Sequence, residues 1–406
     1  MTQPIIIPFL LVLAFLSLFR STSSTAIPII TYNVVNFGAN PNGEVDSTHA
    51  FLSAWDKACN SNMVSSTIII IYVPLGRFLI GSVVFKGKCN NIEITFRIDG
   101  TLVAPLLSKY GEIGNNNGNW LLFDDVDGVS IIGVVIDGQG ASLWDCKRSG
   151  NYKCPSGATN LGFTNSNNIM MNGVTSLNSQ MFHIVIDRCH NVKVEGAKVL
   201  AAANSPNTDG IHVQLSSSVT ILDSNIATGD DCISIGAGTT NLWIENIACG
   251  PGHGISVGSL GKEVEEAGVQ NVTVKTVTFI GTENGVRIKS WGRPSSGFAK
   301  DILFQHATMI NVQNPILIDQ NYCPDQKNCP GQNSGVEISN VKYEDIHGTS
   351  ATEVAVRFNC SPKYACKAIT LEDVKLTYQN KPAEASCNHA RGTTSGFVQP
   401  NSCLQF

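Results

Sequence analysis

Short runs of alternating apolar and polar residues, bounded by Asn, Gly, Asp and Ser, fill most of the chain beyond residue 90. Many runs begin with a small polar residue followed by an apolar–x–apolar triplet, at intervals of 23 to 34 residues. These starting positions are Asn168, Asn191, Ser218, Asn241, Asn271, Asp301, Gly335 and Ala368. Short strands at this period, without helices long enough to cross over a parallel sheet, predict an all-β fold, a single parallel β-helix or solenoid.

Two earlier segments, 91–105 and 128–140, have the pattern of further coils, a coil being one turn of the solenoid. The main alternative is an antiparallel β-sandwich, which would call for more two-residue hairpin turns than the sequence contains. The repeated Asn residues also have a purely structural explanation, as stacked polar turns that satisfy backbone groups. A solenoid grows by adding coils, so we expect one domain despite the length.

Both ends of the solenoid are expected to carry a cap. Residues 50–59 have helical periodicity, and their apolar side comprises Phe51, Leu52, Trp55 and Ala58. This short helix would protect the N-terminal end. A cysteine-bearing tail after Asn380 would protect the C-terminal end.

The first 26 residues differ from the rest of the chain. An apolar run from Ile5 to Phe19 precedes Arg20 and a Ser/Thr stretch that ends at Ala26. This pattern is typical of a secretory signal, leaving residues 27–406 as the mature β-helix domain outside the membrane. A membrane anchor is the competing interpretation, but the run is short for a span and contains a proline.

All 13 cysteines follow that segment, which in a secreted chain predicts disulfides with one thiol left over. Their spacing favours local pairs. The pairs would be Cys59–Cys89, Cys146–Cys154, Cys232–Cys249, Cys323–Cys329, Cys360–Cys366 and Cys387–Cys403. Cys189 then remains single. A metal site is a weaker interpretation, because the sequence has no pair of Cys-x-x-Cys motifs.

Composition limits the partners. The chain is 43% hydrophobic and 15% charged, and its formal net charge is −5. It therefore has no overall attraction to nucleic acid or to anionic membranes, and an anionic substrate must be held by local basic groups.

Residues suited to catalysis or substrate binding recur about one coil apart, at intervals of 21, 22, 34 and 33 residues. The residues are Asp209, Asp230 with Asp231, His253, Arg287 with Lys289, and Tyr322. In register they would line one face of the solenoid. Neighbouring parallel strands lie about 4.8 Å apart, so the groove would be roughly 20 Å long. That length accommodates several sugar residues.

The three aspartates would divide acid and base work, provided the fold brings them together. Asp230 and Asp231 are adjacent, so both reach one groove only from a turn or bulge, which Gly229 makes easier. A capping polar turn is the structural alternative.

Arg287 and Lys289 would share one strand face, where they suit a substrate carboxylate, although an ordinary solvated pair is the alternative.

His253 lies among glycines and would tune an aspartate or contact a sugar, while a structural histidine is the alternative. Tyr322 would stack on a sugar or hydrogen-bond to it, and a core tyrosine is the alternative.

With these residues, the sequence resembles the secreted plant polygalacturonases, glycoside hydrolases that act on pectin. The resemblance spans Tyr32 to the C-terminus and rests on Ser205-Pro206-Asn207-Thr208-Asp209-Gly210, Gly229-Asp230-Asp231-Cys232, Gly252-His253-Gly254-Ile255-Ser256 and Arg287-Ile288-Lys289. It implies a right-handed β-helix and hydrolysis of α-1,4 bonds between galacturonate units with inversion. It implies no metal or other cofactor.

The resemblance also implies roles. Asp230 would protonate the leaving oxygen, Asp209 and Asp231 would activate water, and His253 would support the protonation of the acid. Substrate binding would involve Arg287, Lys289, Tyr322 and Asn207. Inverting hydrolysis places acid and base carboxyl groups roughly 6.5–9.5 Å apart, with room for a water.

Several alternatives remain at this stage. A pectate or pectin lyase shares the β-helix but cleaves by β-elimination, and a carbohydrate-binding β-helix needs no catalysis. Cleavage within the chain and release from its end both fit. We expect a monomer in the cell wall, with glycosylation sequons at Asn271 and, less clearly, Asn359.

Overall fold

The computed structural model describes residues 28–61, 67–90, 93–106, 118–150, 154–324 and 327–405. The expected signal segment, 1–26, lies outside these ranges. No helix in the described ranges is long and apolar enough to cross a membrane.

The described strands form two sheets. Sheet A has 18 described strands: β1 (Ile29–Asn33), β2 (Asn42–Asp46), β3 (Ile68–Val73), β4 (Arg77–Leu79), β6 (Ile94–Val103), β8 (Val129–Asp137), β10 (Asn167–Asn172), β11 (Thr175–Leu177), β13 (His190–Glu195), β14 (Lys198–Leu200), β16 (Ser217–Ala227), β18 (Thr240–Cys249), β20 (Val269–Ile280), β22 (Phe298–Val312), β24 (Glu337–Ser350), β26 (Cys366–Tyr378), β27 (Lys381–Pro382) and β29 (Ala390–Gln399). Sheet B has 11 described strands: β5 (Val83–Lys86), β7 (Asn119–Asp124), β9 (Thr159–Thr164), β12 (Ile184–Asp187), β15 (Ile211–Gln214), β17 (Ile233–Ile235), β19 (Ile255–Leu260), β21 (Asn284–Trp291), β23 (Asn314–Tyr322), β25 (Val354–Asn359) and β28 (Glu384–Asn388).

Each coil contributes strands to both sheets and pairs in parallel with the coils before and after it. Sheet B runs β5, β7, β9, β12, β15, β17, β19, β21, β23, β25 and β28, in chain order. Among the described pairings only β26 with β27 is antiparallel. The prediction of a parallel solenoid is confirmed, and the antiparallel sandwich is wrong.

The interior is filled by apolar residues that stack at the same register position of successive strands. In sheet B the stack is Ile186, Val213, Ile235, Val257, Ile288, Ile318 and Phe358. Each of these side chains is at most 1% exposed. Alternation along each strand then sends the neighbouring side chains to the outer face, where the groove lies.

A ladder of residues in the left-handed region turns the chain into sheet A. Asn168, Asn191, Asn241 and Asn271 have φ between 53° and 56°. Asn and Asp tolerate this conformation better than most residues. Their side chains also bond to one another, Asn191 Nδ2 donating to Asn168 Oδ1 at 2.6 Å. The structural explanation of the repeated Asn residues is therefore correct.

One position of the predicted repeat is wrong. The sequence pattern placed Gly335 and Val336 in the ladder, but Ile302 pairs with Val341. Asn340 is the ladder residue, with φ of 52°, and its side chain donates to Asp301 at 2.6 Å. The coil before it is longer because it includes the Cys323–Cys329 loop.

Two α-helices accompany the strands in the described ranges. Helix α1 (Thr48–Cys59) buries Phe51, Trp55 and Ala58, as the pattern predicted, while Leu52 is only partly buried against the core. Trp55 packs on Phe85 at 5.5 Å between ring centroids. Helix α2 (Ala141–Arg148) was not predicted. A 3-10 helix spans Val34–Phe37. The tail after Asn380 supplies the last strand of each sheet, β29 and β28.

All six predicted disulfides are present in the structure. Cys189 is the unpaired thiol and is buried. Cys232–Cys249 joins the turn before β17 to the end of β18. It therefore fixes the segment that carries two of the candidate aspartates.

Candidate active site

Two tightly joined turns position the three aspartates at the start of neighbouring strands of sheet B. Asp209 precedes β15, while Asp230 and Asp231 precede β17. The backbone N–H of Gly229 donates to Thr208 Oγ1 at 3.0 Å. The Gly210 N–H donates to the carbonyl of Asp231 at 2.9 Å. These bonds hold the two turns together, so the carboxyl groups share one face.

Gly229 allows the second turn to approach the first. A Cβ at this position would lie 2.1 Å from the carbonyl oxygen of Ser205, closer than any real contact. The residue before the two aspartates must therefore be glycine. The prediction that Asp230 and Asp231 reach the groove from a turn is confirmed.

Asp231 is held by two cations and a hydroxyl group. Its Oδ1 accepts from Arg287 Nη2 at 2.8 Å and from Ser256 Oγ at 2.9 Å, and its Oδ2 accepts from Lys289 Nζ at 2.8 Å. The side chain is 1% exposed. Burial alone would raise the pKa of Asp231, but Lys289 and Arg287 outweigh it and lower the pKa. This carboxyl group stays ionised.

Arg287 and Lys289 share one strand face and Ile288 points into the core, as predicted. They are not a solvated pair, because each residue is only 7% exposed. They also do not stack directly on the aspartates. Arg287 pairs with Ser256 on β19, so both side chains reach back across that strand to Asp231.

Asp230 and His253 form a second contact at the groove. His253 Nδ1 lies 3.1 Å from Asp230 Oδ1, and its Nε2 lies 3.4 Å from Glu283 Oε2. Burial disfavours the charged imidazole, but the hydrogen bond to Asp230 and the charges of Asp230 and Glu283 raise the pKa of His253. The charged imidazole therefore lies between the carboxyl groups of Asp230 and Glu283.

Asp209 is the carboxyl group whose pKa rises. Burial raises this pKa well above its ordinary value, and the charges of Asp230 and Asp231 add to the effect. The hydroxyl of Ser234 lies beside this carboxyl group in the groove. Asp209 and Asp231 thus have opposite shifts, as expected when one member of a carboxyl cluster keeps a proton.

The groove has an aromatic wall at its β23 end. Tyr322 packs edge-on against Trp291 at 5.4 Å between ring centroids, and Lys289 Nζ lies 5.1 Å from the Tyr322 ring centroid. Tyr322 pairs with Trp291 because the register shifts after Lys289. We call the site groove the surface lined by Phe182, Asn207, Asp209, His212, Gln214, Asp230, Asp231, Ser234, Lys262, Glu266, Lys289 and Tyr322, among others.

Sequence reasoning missed several polar residues of the site. They are His212, Gln214, Ser234, Ser256 and Glu283. A signal was present for two of them. His212 and Gln214 follow Asp209 at alternate positions, which on a strand places their side chains on one face.

One atom each from Asp230, Asp231 and His253 lie within 4.8 Å of one another. These groups have the chemistry of metal ligands, but Arg287 and Lys289 already neutralise Asp231 and repel a cation.

Fold and site together define a β-solenoid enzyme of the acid–base type, built around an open groove. Residues 59–402 match the model of glycosyl hydrolases family 28, and the chain belongs to that family. It is therefore a glycoside hydrolase.

Known relatives support this assignment. The chain is 65% identical to a polygalacturonase of Prunus persica, over 97% of this chain and 98% of the relative. It is 40% identical to an exopolygalacturonase of Platanus acerifolia, over 91% of this chain and 96% of the relative. The fold matches the endo-xylogalacturonan hydrolase from Aspergillus tubingensis with a TM-score of 0.75, at 20% identity, over 91% and 98% of the two chains. The predicted resemblance to plant polygalacturonases is confirmed.

Proposed function

We propose that the protein is a polygalacturonase, which hydrolyses α-1,4 bonds between galacturonate units of pectin with inversion at the anomeric carbon. The observation that carries this proposal is the set of three carboxyl groups at one groove, of which Asp209 has a raised pKa and Asp231 a lowered pKa. The relatives named as polygalacturonases supply the substrate class.

Asp230 is the general acid in this proposal. It gives its proton to the glycosidic oxygen as the bond to the anomeric carbon breaks. Its side chain is 20% exposed, so a substrate can reach it, and His253 Nδ1 lies 3.1 Å from its Oδ1 and holds the carboxyl group in position. The charges of Asp230 and Asp231 act on Asp209, and the proposed step requires the proton to lie on Asp230 and Asp209 to be ionised once the substrate is bound.

Asp209 is the general base. A carboxylate with a raised pKa is a stronger base once it has lost its proton, and Asp209 has that shift. It takes a proton from the water whose oxygen attacks the opposite face of the sugar. Asp231, held ionised by two cations, is the weaker base and orients the water.

The cations have a second role in recognising the substrate. Arg287 and Lys289 carry two positive charges against the single negative charge of Asp231, so the cluster remains positive. A galacturonate carboxylate is attracted to that excess charge through Lys289, which lines the groove. Tyr322 and Asn207 also line the groove and would contact neighbouring sugar units.

The same proposal covers the setting of the enzyme. Residues 1–26 are removed on secretion, and residues 27–406 form one catalytic domain with α1 as its N-terminal cap. The coil is right-handed, and the mature protein works as a monomer in the cell wall without a metal or other cofactor. Asn271 is an exposed glycosylation site, whereas Ser361 of the second sequon is buried.

The test is hydrolysis of polygalacturonate by the purified protein in the presence of a chelator. We expect new reducing ends, no unsaturated product, and a fall of about 10²–10⁴-fold in kcat for Asp230→Asn. Asp223→Asn is the matched control, because Asp223 is an exposed aspartate outside the groove.

Unsaturated ends would indicate a lyase, and unchanged hydrolysis by Asp230→Asn would overturn the assigned acid. Early oligomers would indicate internal cleavage, and monomer alone would indicate attack at the chain end.

A further inference from the structure

A chain of three hydrogen bonds runs along the outer face of sheet B, from Ser234 through His212 and Gln214 to Asp187, and the bonds are 2.7 to 3.2 Å long. The Ser234 end of this chain lies beside the carboxyl group of Asp209 in the site groove. Strand pairing brings the members together, because His212 is the register partner of Ser234 and Gln214 is the partner of Asp187.

We propose that this chain is polarised in one direction and stabilises the protonated carboxyl group of Asp209, which makes Ser234 and His212 positioning residues for the base. The inference rests on the proposed function, in which Asp209 takes a proton from water. Which atom donates in each hydrogen bond decides which atom donates in the next one.

Asp187 decides which atoms donate in these hydrogen bonds, because it can only accept. This carboxylate pairs with Arg188 Nη2 at 2.9 Å, and a carboxylate can only accept hydrogen bonds. The Gln214 Nε2 group donates to Asp187 Oδ1 at 3.1 Å. The amide oxygen of Gln214 therefore faces His212 Nε2, at 3.2 Å, and requires a proton on that nitrogen.

His212 donates a hydrogen bond through Nε2 and accepts one through Nδ1, because its imidazole is neutral. Burial lowers its pKa, and a neutral imidazole with a proton on Nε2 has a bare Nδ1. Ser234 Oγ lies 2.7 Å from this nitrogen, so its hydroxyl donates to His212. The hydroxyl proton of Ser234 is then used in the bond to His212, so towards Asp209 the serine oxygen can only accept a hydrogen bond.

A hydroxyl that only accepts favours the acid form of a carboxyl group. Asp209 O–H would donate to Ser234 Oγ, whereas an ionised Asp209 would meet the oxygen lone pair of the serine. The chain thus stabilises the proton that the base receives when water attacks. An ordinary serine that donates to a carboxylate would have the opposite effect on the pKa.

Other charges act on the two titrating groups and must stay unchanged in a test. Asp209 faces Asp230, Asp231 and Lys289, and His212 faces Asp187, Asp231 and Lys289. Ser234→Ala and His212→Phe leave all of these residues in place. Phenylalanine also keeps a ring beside Phe182, which packs on His212 at 5.2 Å between ring centroids.

The measurement is the acidic limb of the pH profile of kcat/KM on polygalacturonate, where the base must lose its proton. In Ser234→Ala the acceptor is gone, and in His212→Phe the serine is free to donate to the carboxylate. Both changes should lower the pKa of Asp209 and move the limb to lower pH by about 0.5 to 1 unit.

Ser217→Ala is the matched control, because Ser217 Oγ lies 2.8 Å from His190 Nδ1 on the outside of sheet A. It should leave the profile unchanged. A limb that stays in place or moves to higher pH in Ser234→Ala overturns the proposal. A shift in Ser234→Ala without one in His212→Phe shows that His212 does not set the direction and also overturns it.

Titration of the Asp209 carboxyl carbon by NMR, assigned with Asp209→Asn, reads the same shift without any turnover. If the wild-type protein does not hydrolyse polygalacturonate, the proposed function fails, and the chain is still tested by this titration. The pKa should fall in both variants, and a rise in Ser234→Ala would contradict the inferred direction. Thermal unfolding of each variant confirms that it is folded.

Discussion

Lys289 Nζ and Asp231 Oδ2 lie 2.8 Å apart, and both side chains are less than a tenth exposed. The two residues are 58 positions apart in the sequence and come from strands separated by a third. With Arg287 on the other oxygen, the pair forms a buried charge cluster beside the reacting groups. This cluster connects substrate binding, the ionisation of Asp231 and the stability of the groove.

Removing one cation should therefore damage both stability and activity. In Lys289→Met the Asp231 carboxylate keeps only Arg287, and breaking a buried pair typically costs about 3–5 kcal/mol. We expect a clear loss in the free energy of unfolding and a higher KM on polygalacturonate. Denaturant unfolding and steady-state kinetics measure the two effects.

Lys193→Met is the control, because Lys193 forms a surface ion pair with Glu195 and is 45% exposed. Its stability should change by less than about 1 kcal/mol, with unchanged kinetics. Equal losses in the two variants would show that the Asp231 cluster has no special importance.

Asp231 should make stability depend on pH at the acid end. Its folded pKa is lowered, so its contribution is present above the unfolded pKa of about 3.9 and is lost as pH falls through the folded value. Asp231→Asn should therefore lower the melting temperature most near neutral pH and progressively less below about pH 4. Asp223→Asn serves as control, and a difference that grows on acidification would contradict the shift.

Glu283 should control the alkaline limb of activity. The pKa of His253 is raised, so its charged form persists until pH rises through that folded value. Glu283→Gln removes one of the carboxylates that favour the imidazolium. We expect the limb of kcat/KM to move to lower pH by roughly a few tenths of a unit, and less at high salt.

The matching control is Glu195→Gln, because Glu195 lies on β13 of sheet A, away from the sheet B strands of the groove, and pairs with Lys193 at the surface. It should leave the limb in place. An unmoved limb in Glu283→Gln would mean that the charge of His253 does not set the limb, and a shift to higher pH would mean that Glu283 does not favour the imidazolium.

Gly229→Ala should disturb the turn that carries Asp230 and Asp231. The new Cβ would lie 2.1 Å from a backbone oxygen, so one of the two turns has to move. We expect a loss of about 1–3 kcal/mol in stability and a larger proportional loss in kcat. At Gly81, where the nearest atom to a Cβ is a side-chain oxygen at 3.2 Å, alanine should be tolerated better. Full activity of Gly229→Ala would contradict the proposed packing.

Much of the fold follows from local pattern. The period of the apolar triplets, the Asn residues at the corners and the short cysteine spacings are all features of a single coil. Alternation also correctly placed Ile288 in the core between Arg287 and Lys289. The pattern was misassigned where a coil is longer, because Val336 and Val341 both begin an apolar–x–apolar triplet; Asn340, directly before Val341, is the local signal that identifies the correct one.

The limits of the sequence are clearest in the site. It indicated the three aspartates, yet the bonds from Arg287 and Lys289 to Asp231 depend on reaching back across β19. The Ser234–His212 contact likewise depends on exact pairing of two coils. Helix α2 is only eight residues long and buries just Leu143 and Trp144, so its periodicity is too weak to detect.

The central claim is that Asp230 and Asp209 act as acid and base in a single displacement by water. The most direct measurement is NMR of the anomer at the new reducing end, recorded on the first products from a galacturonate oligomer before the anomers equilibrate. The mechanism predicts that the new reducing end appears first as the β-anomer. Initial formation of the α-anomer would mean retention, and the assigned roles of the two aspartates would be wrong.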